Sequence, residues 1–411
     1  MHLNPVSARV PPAAQEAWEY YLQSLDDARA RVLDSAYAAS AVDRAQGLYY
    51  IQMLSAFAFN IYMAPRQNYP HFLTNTIFSP LEYSFGAPCP DFLYKWTFLD
   101  GRRQYRLSGK LGTTRWVELQ AQRGFWGDAD QRRLGNWDFD DFEIAADGSF
   151  EIFACAHRPS GRGQAANWME LDPSAANITV MVREAFYDWS SERGLELSIE
   201  LLDRQSVEPV VHSEAEIDRR LRAAGFLVQF TVDFFLRYND RILKEAGGTN
   251  GFYVTPMQSS NDVGGNPRAG YMQMMYDIQP GEALILEVEL PQARYWSAHL
   301  ADLWWQTTDY AYHQSSLNGH QARIDSDGKV RIVLSQEDPG VPNWLDPVDN
   351  PRGLVLWRWY LADSHPTPTV RSVPLTELRR HLPEGTPRVT PEQRRLEVRA
   401  RTAFVRRNYR L

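Results

Sequence analysis

The sequence predicts an α+β protein in which two antiparallel β-sandwich or jelly-roll-like domains, related by an internal duplication, are flanked and linked by helices. Three observations lead to this prediction. Helical periodicity is confined to three stretches, short alternating runs fill the regions between them, and motifs of the first region recur in the second. At 411 residues the chain is also longer than one hydrophobic core usually requires.

The predicted helices lie in an N-terminal segment (residues 1–65), a linking segment (206–249) and a basic C-terminal segment (374–411). The first segment is rich in good helix formers and breaks near "DSAYAAS", which indicates two helices. Ser213 and Glu216 have capping-box spacing at the start of the linking helix, and Gly247 and Gly248 supply its end. In the C-terminal segment, Thr390 can cap a helix that begins at Pro391.

Residues 66–205 and 250–373 are predicted to form the two β domains, because both regions consist of short alternating runs separated by turn residues. Their motifs share one order and a nearly constant offset, which indicates two copies of one domain. The offset is 180 residues for Asp147 and Asp327 and for Trp116 and Trp296, 176 for Asn167 and Asn343, and 175 for Arg183 and Arg358.

An Asn-Trp pair followed by an acid occurs in both copies, in "NWMELDP" and in "DPGVPNWLDP". Its expected duty is structural, since Asn can satisfy backbone groups in a tight turn and Trp can close one end of a sandwich. The alternative is that the two copies share a site at their junction.

Composition places the chain among ordinary folded proteins, with 44% hydrophobic and 23% charged residues. The N-terminus lacks the apolar stretch of a secretion signal, and no later run approaches the roughly 18 uninterrupted apolar residues of a membrane span. A soluble, cytoplasmic protein with no membrane partner is therefore expected. Cys89 and Cys155 lack metal-site spacing and are expected to be free, buried thiols.

Charge is distributed unevenly along the chain, whose net charge is −8. Residues 378–411 carry 10 arginines against 3 glutamates, which suggests that a basic tail docks on the acidic body or on another subunit of a homo-oligomer. Nucleic acid is not an expected partner, because the acidic body would repel it.

At "DPGVPNWLD", with the preceding "SSLNGHQARIDSDGKVRIVLS" and the following "GLVLWRW", the sequence resembles bacterial proteins that carry the domain of unknown function numbered 1214. That domain is often found with the one numbered 1254. The likeness is clearest from about residue 277 to 409, and "YRLSGKLG" and "NWMELDP" give a weaker match in the first half. The resemblance implies tandem jelly-roll-like domains but no agreed activity and no settled catalytic residues.

The richest polar stretch is "HLADLWWQTTDYAYHQSSLNGHQ", which begins at His299. If its strand is regular, Asp309 and His313 face the same way. His313 is then a candidate general acid or base, Asp309 its orienting carboxylate and Asp302 a second carboxyl group. The alternative is a surface histidine with a helpful neighbour.

Substrate-binding candidates are Trp304, Trp305 and Tyr310 as an aromatic platform, with Asn318, His320 and Arg358 as polar groups. Adjacent strand residues point in opposite directions, so Trp304 and Trp305 cannot both face one pocket. The prediction is a hydrolase or lyase, without cofactor or metal, that acts on a carbohydrate or a hydrophobic small molecule. The alternative is a non-catalytic ligand-binding or assembly protein, since jelly rolls serve both roles.

The sequence also offers weaker candidates for a metal site and for a pair of catalytic carboxylates. Jelly rolls can hold metals through His and Asp, but the compact His-x-His spacing of such sites is missing here. In the first copy, Asp138 and Asp140 could act as a carboxylate pair or bind calcium, although acidic turns are usually solvated loops. No glycine-rich phosphate loop or Gly-x-Ser-x-Gly turn occurs in the required setting.

Overall fold

The computed structural model describes residues 13–74, 84–160, 167–202, 213–258 and 265–409. The chain divides into two units, one of Met1–Pro65 with Ser206–Phe234 and one of Arg66–Gln205 with Phe235–Leu411. The first unit is helical, whereas the second contains both β domains and the C-terminal helix, so the protein is α+β. No helix among the described residues combines the length and the apolar character needed to cross a membrane.

Helices α1 (Ala13–Leu33) and α2 (Ala41–Ala58) lie in the first unit and are separated where the sequence predicts a break. Ser40 and Asp43 form a reciprocal capping box that starts α2. Helix α3 (Glu214–Ala246) belongs to the first unit up to Phe234 and to the second unit from Phe235 onward. It begins with the predicted cap of Ser213 and ends before Gly247 and Gly248, which have positive φ angles.

The first β domain is a sandwich of two sheets with strand orders β1-β2-β8-β4-β5 and β7-β6-β3-β9. Strands β6 and β7 run parallel, and the other paired strands described in this domain run antiparallel. The strands are β1 (Leu73–Thr74), β2 (Phe92–Leu99), β3 (Tyr105–Lys110), β4 (Trp116–Arg123), β5 (Arg132–Asp138), β6 (Ser149–Cys155), β7 (Trp168–Glu170), β8 (Ile178–Ala185) and β9 (Glu196–Leu201).

The second β domain repeats this arrangement, with strand orders β10-β11-β17-β13-β14 and β16-β15-β12-β18. Its interior contains Met272, Leu286, Trp296, Ile332 and Trp357 from both sheets. The strands are β10 (Phe252–Val254), β11 (Ala269–Asp277), β12 (Glu282–Glu289), β13 (Ala293–Ala301), β14 (Ser316–Asn318), β15 (Lys329–Leu334), β16 (Trp344–Leu345), β17 (Arg352–Ala362) and β18 (Thr369–Pro374).

The Asn-Trp motifs occupy equivalent places in the two sandwiches, which supports the predicted duplication at the level of single hydrogen bonds. Asn167 donates to the carbonyls of residues 143 and 151, and Asn343 donates to those of residues 323 and 331. Trp168 donates to the carbonyl of residue 155, and Trp344 to that of residue 335. Each acceptor carbonyl in the second copy lies 180 positions after its counterpart in the first, so the motif closes the same turn in each copy.

The outer faces of the two five-stranded sheets pack against each other with local twofold symmetry. The Arg115 guanidinium donates to the Arg294 carbonyl (2.7 Å), and Arg294 donates reciprocally to the Arg115 carbonyl (3.3 Å). This offset of 179 makes Tyr295, and not Trp296, the counterpart of Trp116. Trp296 lies on the other face of β13, in the sandwich interior, because a register change of one residue reverses the side of the sheet.

The basic C-terminal segment docks within the chain through helix α4 (Pro391–Tyr409). Arg394 forms an ion pair with Asp338 (3.0 Å) and donates to the Val341 carbonyl, so it binds both ends of the "DPGV" stretch. One heptad later, Arg401 donates to the Tyr310 carbonyl and lies 4.7 Å from the Trp189 ring centroid. Burial lowers the pKa of Arg401 to about 10, although the charge of Asp91 opposes this effect.

Candidate functional site

A His–Asp pair lies in the second β domain. His313 Nδ1 is 2.8 Å from an Asp346 carboxylate oxygen, and the imidazole side chain is 38% exposed. Asp346 follows the Asn-Trp motif. Its backbone N–H donates to the Gln314 carbonyl, and its carboxylate accepts a hydrogen bond from the Val348 backbone. The ring is thus oriented by a fixed carboxylate, and a proton on Nδ1 leaves Nε2 as the basic atom.

A buried tyrosine, Tyr276, lies in the same domain and donates a hydrogen bond to the Asn350 carbonyl. Burial raises the pKa of Tyr276, and the negative charges of Asp302 and Asp346 raise it further, so both carboxylates lie within electrostatic reach of this phenol. Asp302 itself is 7% exposed and accepts hydrogen bonds from the backbone of Trp304 and from Gln306. Asp302 therefore uses its carboxylate oxygens to shape its own loop.

Gly353 provides the space that Tyr276 needs. A Cβ atom at this position would lie 2.5 Å from the Ala301 carbonyl oxygen and 2.6 Å from the Tyr276 hydroxyl. We expect Gly353→Ala to lower the free energy of unfolding by about 2 kcal/mol, because backbone on β13 must shift to admit the methyl group. Urea unfolding measures this loss. Gly281→Ala is a useful comparison, since nothing lies within 4 Å of its Cβ and only its positive φ opposes the change.

Asp309 does not take the predicted place beside the imidazole. Its carboxylate accepts hydrogen bonds from the backbone N–H groups of Ala311 and Tyr312, so it caps the turn that leads to His313. The prediction assumes a regular strand, but residues 311–313 form a bend. The partner of His313 is instead Asp346, 33 positions along the chain.

The predicted aromatic platform is packed inside the protein. Trp304 is 3% exposed, Trp305 4% and Tyr310 fully buried. Trp305 stacks on Phe235 at 4.7 Å and donates to Asn239. These rings stabilise the fold and present no open surface to a substrate.

The remaining predicted binding residues separate into two places. His320 is exposed and lies 3.6 Å from Asp188. Asn318 is fully buried and donates to Asp91, whose carboxylate also accepts from Tyr295 and Trp189. Asp91 is the centre of a buried polar cluster between the two β domains that sequence reasoning missed, because its partners come from distant segments.

Burial raises the pKa of the Asp91 carboxyl above its ordinary value, against the effect of its hydrogen bonds and of Arg401. The Cys89 thiol, 3.2 Å from the Tyr295 hydroxyl, also has a raised pKa because it is buried. It is therefore a protonated neighbour of the cluster and not an activated thiolate. Both cysteines of the chain are free and buried.

Arg358 and Arg183 are counterparts in the two copies, yet their partners differ. Arg183 forms an ion pair with Glu118 (2.9 Å), whereas Ser297 occupies the equivalent place in the second copy. Arg358 instead donates to the Ala87 carbonyl and lies 3.5 Å from His299 Nδ1. Burial and the charge of Arg358 keep the pKa of His299 well below its usual range, so this imidazole is neutral.

Metal-ligating groups do not cluster in the described ranges, where no set of three His, Cys, Asp or Glu side chains could hold an ion. Asp138 and Asp140, the carboxylate pair considered in the first copy, form ion pairs with two different arginines. Asp138 pairs with Arg268 (2.7 Å), and Asp140 pairs with Arg294.

Comparison with known families bears on the part of the second β domain that contains His313 and Asp346. Residues 277–364 match the family described as "Protein of unknown function (DUF1214)". The resemblance expected for this region is confirmed. The DUF1214 match spans strands β12 to β17 and includes His313, Asp346 and Arg358.

A solved structure extends the likeness beyond the DUF1214 region. An uncharacterized protein from Burkholderia cenocepacia is 27% identical, with a TM-score of 0.80 over 88% of this chain and 98% of that chain. The VPA0106 protein from Vibrio parahaemolyticus is 12% identical, with a TM-score of 0.46 over 85% of this chain and 100% of that chain. A comparison with curated proteins finds no match. The Burkholderia cenocepacia structure supports the fold and assigns no activity.

Proposed function

We propose that this protein is a cofactor-independent enzyme of the hydrolase or lyase type whose acid–base chemistry is carried by His313 and Asp346. The observation that supports this proposal is the 2.8 Å contact between His313 Nδ1 and the Asp346 carboxylate, on an imidazole that remains 38% exposed. A histidine used only for packing would be buried, and one used only for solubility would not need a fixed carboxylate.

In this proposal, the Asp346 carboxylate accepts a hydrogen bond from the Nδ1–H group of His313 and holds the ring in one tautomer. Nε2 then removes a proton from a water molecule in a hydrolase, or from carbon in a lyase, and returns it to the leaving group. The charge of Asp346 stabilises the imidazolium that forms between these steps. Gln314 supports the geometry, because its side chain donates to the Trp344 and Pro342 carbonyls of the loop that carries Asp346.

The proposed substrate is a carbohydrate or a hydrophobic small molecule. Tyr312 supports this class, since it is 56% exposed and immediately precedes His313. Aromatic faces of this kind contact sugar rings and other apolar surfaces. A cytoplasmic location belongs to the same proposal, and the free thiols of Cys89 and Cys155 fit a reducing compartment.

The test compares purified wild-type protein with His313→Gln and Asp346→Asn on a panel of glycosides, esters and uronic-acid derivatives, with products followed by mass spectrometry. We expect His313→Gln to reduce turnover at least about 100-fold and Asp346→Asn at least about tenfold, because general acid–base catalysis contributes on this scale. Circular dichroism should show that both variants keep their fold.

His320→Gln provides the matched control, since His320 is also exposed and also lies near an aspartate. It should leave turnover unchanged. Wild-type rates in His313→Gln would overturn the assignment. The absence of any conversion by the wild type would favour the second candidate.

The second candidate function is ligand binding or assembly into a homo-oligomer without catalysis. It is favoured by the burial of Trp304, Trp305 and Tyr310, which removes the platform expected of a sugar-processing site in this domain. Sedimentation of the purified protein tests the oligomeric part of this candidate.

A further inference from the structure

The outer face of the first sandwich carries a polar enclosure beside the edge strand β5. Segment 265–268 crosses this strand and is fixed at two points. Arg133 donates to the Gly265 carbonyl, and Arg268 forms an ion pair with Asp138. Asn266 lies between these two anchors, so it is held near the middle of β5.

Three polar atoms in this region are buried and have no hydrogen-bond partner among the residues that the structure describes. They are one carboxylate oxygen of Glu118 and the side-chain nitrogens of Asn136 and Asn266. Buried polar groups in folded proteins are almost always hydrogen-bonded, so three exceptions in one region require an explanation.

In each of these side chains the other polar atom already has a hydrogen-bond partner, and this contact fixes the direction of the unpartnered atom. The other Glu118 oxygen accepts from Arg183 (2.9 Å). The Asn136 oxygen accepts from Gln120 (3.1 Å), and the Asn266 oxygen accepts from the Arg268 backbone (2.6 Å). The enclosure therefore offers one negatively charged acceptor and two amide donors.

Several contacts bring these groups together. Glu118 and Gln120 share one face of β4, and Gln120 pairs with Asn136 across to β5. The backbone of Asn266 donates to the Tyr271 hydroxyl, which lies 2.7 Å from the Tyr360 hydroxyl. The Tyr360 ring lies 5.0 Å from the ring of Trp116, which shares one face of β4 with Glu118, so Glu118 and Asn266 lie on the same side of β4 as this pair of phenols.

We propose that Glu118, Asn136 and Asn266 line a binding site for a small polyhydroxylated molecule, such as a monosaccharide or polyol. Each hydroxyl group can donate to the carboxylate and accept from an amide, which is the combination that the three atoms require. An anion would be repelled by Glu118, and a simple cation would leave both amide donors unsatisfied. Asn136 is half-buried on the edge strand β5, whereas Glu118 and Asn266 are fully buried, so Asn136 is the most exposed of the three residues.

The site is independent of His313, because its three groups lie in the first copy and on the segment that precedes β11. The duplication shows that it is specialised. In the second copy, Ser297 stands at the position of Glu118 and His299 at the position of Gln120. The second copy therefore lacks the acceptor that the proposed ligand needs.

Isothermal titration calorimetry of the full-length protein tests the proposal. The six probes are glucose, mannose, galactose, ribose, inositol and glycerol. At least one of these probes should bind the wild type, and Asn136→Ala should weaken that binding about tenfold while keeping the Glu118–Arg183 ion pair. Glu118→Gln should weaken it at least as much. Glu196→Gln changes an exposed glutamate of the same domain and should bind like the wild type, as should His313→Gln.

A crystal structure with the bound probe should place its hydroxyl groups on the three unpartnered atoms. The proposal is overturned if none of the six probes binds the wild type, if Asn136→Ala and Glu118→Gln both bind with unchanged affinity, or if only ordered water occupies the three atoms in crystals soaked with the probe. A loss of turnover in His313→Gln with probe binding intact separates this site from the proposed acid–base chemistry.

Discussion

Replacing Trp344 with alanine should lower the free energy of unfolding by about 3 to 5 kcal/mol, the usual cost of removing a large buried aromatic ring. Trp344 is 6% exposed and packs with Val333, Val341 and Leu378. Its indole N–H donates to the Ser335 carbonyl, and the Arg394 guanidinium lies 5.2 Å from the ring centroid. The substitution thus removes packing, a hydrogen bond and the surface on which α4 rests.

The duplication provides an internal control for this prediction. Trp168 occupies the equivalent place and donates to the Cys155 carbonyl, but its ring is only half-buried. We expect Trp168→Ala to cost roughly half as much as Trp344→Ala, because less apolar surface returns to water. Urea unfolding of both variants measures the difference. Equal losses would show that burial of the ring and the contact with Arg394 do not determine the cost.

The stretch "DPGVPNWLDP" shows how far a motif can be interpreted from sequence. Its recurrence predicts a structural turn, and Asn343 and Trp344 do close that turn. The stretch also supplies Asp338 to Arg394 of the basic helix and Asp346 to His313. Neither partnership leaves a periodic signal, because each joins residues more than 30 positions apart.

The fold is more predictable than the site for a physical reason. The presence of two copies of one β domain follows from motifs that recur along the chain, and an error of one residue does not change that conclusion. The same error reverses the face of a strand, as it does for Trp296 relative to Trp116. The Glu118 enclosure depends on the face of β4 and on a segment almost 150 residues later, so no local pattern indicates it.

Asp91→Ala should destabilise the protein by at least about 3 kcal/mol, since Tyr295, Trp189 and Asn318 would keep buried donors without an acceptor. These donors come from both β domains, so the loss affects the interface between them. Asp91→Asn keeps the size of the side chain and should cost less. Thermal unfolding at neutral pH compares the two variants. A fully stable Asp91→Ala variant would contradict the role of Asp91 as the acceptor of this cluster.

The protonation of Asp91 can be followed by comparing the stability of the wild type with that of the Asp91→Asn variant as the pH changes. Burial raises the pKa of this carboxyl in the folded protein above the value of 3.8 expected when the chain is unfolded. The folded state therefore holds the proton more tightly, and its advantage is complete at low pH and declines as the pH rises through the folded pKa. The amide of the Asp91→Asn variant cannot titrate, so the stability of the wild type relative to this variant should fall from about pH 4 upward.

Arg401, Cys89 and Tyr295 face the carboxyl. Arg401 stays charged in the acidic range, while Cys89 and Tyr295 stay neutral. A difference that stays constant with pH would mean that the folded protein leaves the affinity of Asp91 for its proton unchanged.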